Sequence, residues 1–173
     1  NLGKEYNKKI KLITKNFKGE IIPYNYRLLI RDILVQLIRN SMFHGIESVE
    51  ERIERGKPKV GNIKIEDYKK NGDFTIKFYD DGRGLMLSKL KEKLKKLGKW
   101  SDEEIENWKP QELAESIFIP GISTSDQADL TAGRGIGMDI VKNKIEKVGG
   151  KIEIETVEGQ FTNFNIVLPE PVN

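Results

Sequence analysis

Residues 61–81 read "GNIKIEDYKKNGDFTIKFYDD". Asn71-Gly72 sits between two runs that alternate apolar and polar residues. An Asn-Gly pair accepts positive φ at both central positions, which a two-residue hairpin turn requires. The two runs are therefore antiparallel neighbours in a sheet. A second pair, "KIEIETV" and "FTNFNIVLP", closes the chain after Gly149-Gly150 in the same way. Strands that pair as hairpins, with helical stretches crossing over between them, exclude the regular alternation of strand and helix of a doubly wound parallel sheet.

The rest of the chain fits around these hairpins. "KKIKLITKN" (Lys8 to Asn16) alternates like a half-buried strand, and Gly19-Glu20 is read as a turn with Ile21-Ile22 as a short return strand. From Tyr24 to about Ile46, apolar residues recur at three- and four-residue steps through Leu28, Leu29, Ile33, Leu34, Leu37, Ile38 and Met42, which predicts one long amphipathic helix ending at Gly45. Helices are expected over Leu85–Leu97 and Ile136–Val148. Two short ones follow Ser101, a plausible N-cap, and Pro110, a helix-starting residue. "IPGISTSDQADLTAGRG" (Ile119 to Gly135) is a long polar loop. The fold class is α+β: a two-layer sandwich whose mixed, mostly antiparallel sheet carries its helices on one face. A length of 173 residues suits one domain, residues 1–173, read as a fragment of a longer protein.

Composition removes several functions. The absence of cysteine excludes disulfides and thiolate zinc sites, and a single histidine, His44, excludes a His-rich metal centre. A net charge of +3, from 30 basic and 27 acidic residues, gives no basic face for nucleic acid. The lysines of Lys89 to Lys99 read as a solvated helix face. No apolar run approaches a membrane span, so no direct membrane contact is expected of this domain. A cytoplasmic setting is expected, in a parent protein that is itself free or attached to a membrane or receptor complex.

Three polar clusters stand at element ends. Gln36, Asn40 and His44 are four apart, so a helix puts them on one face, with Arg39 alongside. That pattern is either the polar stripe of an amphipathic helix or a site. "DDGRG" (Asp80 to Gly84) ends a strand with a carboxylate and two glycines, which is either a tight turn or a receptor for a flat donor such as an exocyclic amine. "GRGIG" (Gly133 to Gly137) opens a helix, where backbone N–H groups and the helix dipole favour an anion and Arg134 adds charge. A polar loop rather than a strand precedes these glycines, so the dinucleotide fingerprint does not apply, and the chain has no GxxxxGK[ST] phosphate loop.

Taken in order, the clusters resemble the GHKL ATPases. Those carry an asparagine on a helix, then D-x-G-x-G, then a lid closed by G-x-G-x-G, then a Gly/Thr element. More closely, the chain resembles the ATP-binding kinase domain of CheA-type chemotaxis histidine kinases. "LIRNSMFHGIE", "ERIERGKP", "YDDGRGL", "IFIPGISTS" and "AGRGIGMDIVKNKIEKVGGKIEIET" carry that likeness over essentially the whole chain.

The resemblance implies a Bergerat-type fold and a cofactor pair, ATP with Mg2+. It implies that Asn40 is the metal ligand and, with Gln36 and His44, the catalytic group. Arg39 and His44 would lie near the phosphates, Asp80 would accept the adenine amine, and Gly82 and Gly84 would shape that corner. Lys89 would stand on the phosphate side. Ser123 and Thr124 would begin the lid, and Gly133, Arg134, Gly135, Ile136, Gly137 and Met138 would form its far hinge and phosphate cradle. Thr162 would support the adenine side. The implied reaction moves the γ-phosphoryl of ATP to a histidine on a separate phosphoacceptor domain, in the same protein or a dimer partner. A response regulator would act downstream, and a coupling protein would link the kinase to its input. The sequence departs from the family at three places: Gln36 replaces a histidine, Phe43 an aspartate and Phe161 a glycine. Glutamine takes no proton at neutral pH, so a nucleotide-binding regulatory or scaffold module without turnover is the alternative. An ATPase of the mismatch-repair or chaperone branches fits less well, because the likeness to the chemotaxis branch runs the full length.

Overall fold

The computed structural model describes residues 7–123 and 137–172. Five strands form one sheet: β1 (Lys9–Ile13), β2 (Val60–Lys70), β3 (Asp73–Asp80), β4 (Lys151–Val157) and β5 (Phe161–Leu168), in the order β1-β2-β3-β5-β4. β1 runs parallel to β2, and the other three pairings are antiparallel. The sheet is thus mixed and mostly antiparallel, as expected. Asn71 (φ 52°) and Gly72 (φ 85°) make the two-residue turn, and Lys70 pairs with Asp73 across it.

The helices are α1 (Tyr24–Asn40), α2 (Val49–Glu54), α3 (Leu87–Leu97), α4 (Asp102–Glu106), α5 (Pro110–Glu115) and α6 (Met138–Lys147). A π turn (Ser41–Gly45) continues α1, and a short 3-10 turn (Ser116–Phe118) continues α5. Ile33, Leu37, Leu94, Ile105, Leu113, Val141 and Ile145 from the helices are buried with Ile63, Phe78, Ile76, Ile166 and Leu168 from the sheet. The strand register puts Lys64, Tyr79, Asn163 and Glu155 on the opposite face, away from this core. The two layers share one apolar interior, as the alternation in the strands requires. Among the described residues, no helix is long and apolar enough to cross a membrane.

Local signals decide the element ends. Ser101 caps α4 by accepting the Glu104 N–H at 3.1 Å, and Pro110 occupies the first turn of α5. Two expectations need correcting. Ile21-Ile22 is not a return strand: Ile22 N–H bonds the Gly19 carbonyl at 3.1 Å, a local turn that buries Ile22 instead of pairing it with β1. The long helix is not α-helical to Ile46. It leaves α geometry at Asn40 and closes with a wider bond from Ile46 N–H to the Ser41 carbonyl, 2.7 Å. Lys8 Nζ takes the Met42 and Phe43 carbonyls, at 2.8 and 3.2 Å.

Candidate functional site

Asp80 ends the central strand β3 and is 5% exposed. Ser41 donates its hydroxyl to Oδ2 at 2.6 Å, and the Gly82 N–H donates to Oδ1 at 3.0 Å. Burial pushes the Asp80 carboxyl above the usual aspartate range, the Ser41 and Gly82 bonds act against that, and Asp81 and Glu47 add to it. Each carboxylate oxygen keeps acceptor capacity beyond the one bond it receives. The result is a dry acceptor with directed lone pairs.

Close backbone approach explains the glycines. A Cβ on Gly82 would stand 2.2 Å from the Gly45 carbonyl oxygen, which also accepts the Arg83 N–H at 2.9 Å. Gly84 has φ +67°, and a Cβ there would stand 2.4 Å from the Val157 carbonyl oxygen. The D-x-G-x-G loop is therefore pressed between the π turn and the β4–β5 hairpin. Across the ladder, Thr162 of β5 is the direct partner of Asp80. Its Oγ1 lies 3.4 Å from Thr156 Oγ1, and Thr156 Oγ1 also accepts the Leu85 N–H at 3.1 Å.

A second group meets at the end of α1. Gln36 Nε2 donates to Asn40 Oδ1 at 3.1 Å, Asn40 Nδ2 approaches Met138 Sδ at 3.7 Å, and Met138 N–H donates to Ser123 Oγ at 2.8 Å. The expected asparagine, the first residue of α6 and the near edge of the 119–135 loop are thus in contact. Asn40 precedes Ser41, so this group and the Asp80 group share one helix end.

The remaining expected residues are placed unevenly. Gly137 is the N-cap residue of α6. Arg39 lies on the exposed side of α1, and Lys89 on the exposed side of α3. His44 falls within the π turn that follows Asn40; it is half-buried beside Phe43, ring centroids 6.5 Å apart. Thr124, Gly133, Arg134, Gly135 and Ile136 lie outside the described residues. Of the three departures, Gln36 is buried against Asn40, and Phe43 is 45% exposed. Phe161 stacks on Tyr79 on the sheet's outer face, one residue away from inward-facing Thr162.

Ser41 and Gly45 were missed in the sequence. Ser41 carried one signal, a short polar residue within a predicted helix next to Asn40. Gly45 was read only as a helix end, yet a Cβ there would stand 3.1 Å from Asp80 Oδ2. Among the described residues, no three His, Cys, Asp or Glu side chains gather to hold a metal ion.

Comparison with known proteins agrees with this geometry. The family model described as "Histidine kinase-, DNA gyrase B-, and HSP90-like ATPase" matches residues 27–172. The chain is 41% identical over 171 residues to the "Chemotaxis protein CheA" of Bacillus subtilis (strain 168), covering 97% of this chain and 25% of that protein. It is 38% identical over 170 residues to the "Sensor histidine kinase CheAY" of Helicobacter pylori (strain ATCC 700392 / 26695), covering 97% of this chain and 21% of that one. The chain thus spans about a quarter of these relatives. The solved catalytic domain of histidine kinase ThkA shares the fold at TM-score 0.56 and 22% identity, covering 95% of this chain and 80% of that one. The buried aspartate at the strand end, the helix-borne asparagine and the matched length agree: the chain belongs to the histidine kinase, DNA gyrase B and HSP90-like ATPase family.

Proposed function

We propose that this chain is the ATP-binding catalytic part of a chemotaxis-type histidine kinase, which transfers the γ-phosphoryl of ATP to a histidine of a phosphoacceptor domain. The observation that carries the reading is the buried Asp80 carboxylate, held by Gly82 and by Ser41, the residue that follows Asn40 at the helix end. A buried acceptor discriminates strongly, because a ligand without the matching donor leaves it unpaired. Adenine presents an amine where guanine presents a carbonyl, so Asp80 selects adenine, with Thr162 beside it. The base then lies at one end of the site and the phosphates extend toward Asn40 and the start of α6.

Asn40 Oδ1 accepts one bond from Gln36 and has a second lone pair for a magnesium ion. The donor set suits Mg2+, which needs few protein oxygens when phosphates supply the rest. Mg2+ there would neutralise the charge that spreads over the phosphoryl oxygens. Gln36 acts as a positioning residue: its amide fixes which side of Asn40 presents oxygen. Phosphoryl transfer asks mainly for alignment and charge neutralisation, so a glutamine where a relative has histidine is compatible with turnover. His44 is the one histidine of the chain, so the phosphoacceptor histidine belongs to another domain. A response regulator would consume the phosphoryl group and a coupling protein would relay the input, in the cytoplasm.

The test is incubation of the complete protein with ATP labelled at the γ-phosphate. Acid-labile, base-stable phosphohistidine is the expected product, lost on Asn40→Asp and Asp80→Asn substitution. Tight ATP binding with no labelled histidine would overturn the kinase reading and leave a regulatory nucleotide-binding module.

A further inference from the structure

Behind the Asp80 turn lie three ionised side chains that the proposed reaction does not use. Glu47 follows the π turn, Arg52 sits in α2, and Lys57 lies between α2 and β2. Their side chains are 0%, 2% and 15% exposed. Charged groups are rarely buried this far without a reason. Arg52 Nε donates to the Pro58 carbonyl at 2.6 Å, and its Nη1 to Glu47 Oε1 at 3.0 Å and the Asp81 carbonyl at 3.1 Å. Lys57 Nζ donates to Glu47 Oε2 at 2.5 Å, to the Asp81 carbonyl at 3.1 Å and to the Gly82 carbonyl at 2.8 Å. The Asp81 carboxylate lies 3.4 Å from Arg52 Nη1 and accepts Asn62 N–H and Nδ2 at 2.8 and 2.9 Å. Two cations and two carboxylates balance.

The target of the two cations matters more than their pairing. The Asp81 carbonyl and the Gly82 N–H belong to one planar peptide unit and point in opposite directions. Arg52 and Lys57 both grip the carbonyl side of that plate. Its N–H side donates to Asp80 Oδ1 at 3.0 Å. A rotation of the plate would remove the N–H from Asp80 and leave the carboxylate free to turn. Lys57 also holds the next carbonyl, so the neighbouring peptide unit is held by the same cation. Glu47 neutralises and aims the two cations and touches neither Asp80 nor the turn's backbone in these bonds.

We infer that Glu47, Arg52 and Lys57 form a clamp that sets base selectivity, by locking the Asp81–Gly82 peptide plane in the orientation that aims Asp80. They are positioning residues, and the inference rests on the reading of Asp80 as the adenine acceptor. The clamp gives a task to "ERIERGKP", a stretch that contributes no group to the reaction.

The experiment compares calorimetric affinities of the protein for Mg-ATP and for Mg-ITP, which carries a carbonyl in place of the amine. Lys57→Met is expected to cut the ATP-over-ITP preference by about tenfold, the size of one charge-assisted hydrogen bond, while affinity for inorganic tripolyphosphate stays within about twofold. Because Lys57→Met strands the Glu47 charge, the paired variant Glu47→Gln/Lys57→Met supplies a neutral clamp, with the same loss expected. A preference ratio is internal to the folded molecules, so a general loss of stability does not move it. Asp80→Asn is the reference. If Asp80→Asn collapses the preference and both clamp variants keep it, the clamp is structural only and this inference is overturned while the site reading stands. If Asp80→Asn also keeps the preference, the acceptor reading falls and the clamp's role falls with it.

Discussion

Asp80 has been taken out of water, and two donors partly replace the water it lost. That balance makes its charge sensitive to a single hydroxyl. Burial raises its pKa, whereas the Ser41 hydroxyl lowers it. As pH falls, the folded carboxyl takes its proton earlier than an unfolded aspartate would. Protonation in that window favours the fold but removes the charged acceptor from the site. Nucleotide affinity is therefore expected to fall on acidification, beginning above the ordinary aspartate range. Ser41→Ala removes the opposing bond, so the falling limb of an affinity-against-pH curve moves to higher pH; Asp80→Asn flattens it. A curve for Ser41→Ala that overlays the unsubstituted one would contradict the role given to Ser41. Asp80 was a candidate in the sequence, where a carboxylate between a strand and two glycines fits either a tight turn or a donor receptor, and the family resemblance singled it out. Ser41 was not, because its partner is 39 residues away and only the fold brings them together.

At the scale of elements, the site is made where a loop is squeezed between two neighbours. Gly82 and Gly98 separate close approach from backbone conformation. Gly98 has φ +74° with open space around its Cβ position, whereas Gly82 faces the Gly45 carbonyl. Gly98→Ala is expected to cost about 1 kcal/mol of stability, from its left-handed backbone, with nucleotide affinity unchanged. Gly82→Ala has to move either the D-x-G-x-G loop or the π turn, so affinity falls at least tenfold, about 1.4 kcal/mol. Denaturation and calorimetry on the two variants separate these outcomes. The hairpins, the sheet class and most of α1 were legible, because periodicity and turn chemistry are local. The π turn was not. Its cause is tertiary: Ser41 is drawn inward to Asp80, and Lys8 from the start of the chain satisfies the carbonyls released. A four-residue rule placed Gln36 beside Asn40 correctly, whereas His44 falls within the π turn, whose bonds the rule does not describe. Alternation also explains why Phe161 leaves the site alone: a strand sends it to the face opposite Thr162.

Across the whole molecule, α1 is anchored to the far end of the chain. Tyr26 is buried and donates its hydroxyl to the Pro169 carbonyl at 2.6 Å, just beyond β5. Tyr26→Phe leaves that carbonyl without its donor and is expected to lower unfolding free energy by about 1 kcal/mol in urea melts. Unchanged stability would show that the tie contributes nothing net. The sheet order carries a further consequence. β2 and β3 are adjacent in the chain, but β3 meets β5 only after about 80 intervening residues, the pairing that sets Thr162 against Asp80. During synthesis the ribosome releases the aspartate's half of the corner long before the threonine's half exists. One edge of β3 stays unpaired in that interval, and non-local pairing of this kind is slow. Asp80 therefore meets Thr162 only once β5 has emerged, so a product terminated before β5 would lack the β5 partner of Asp80.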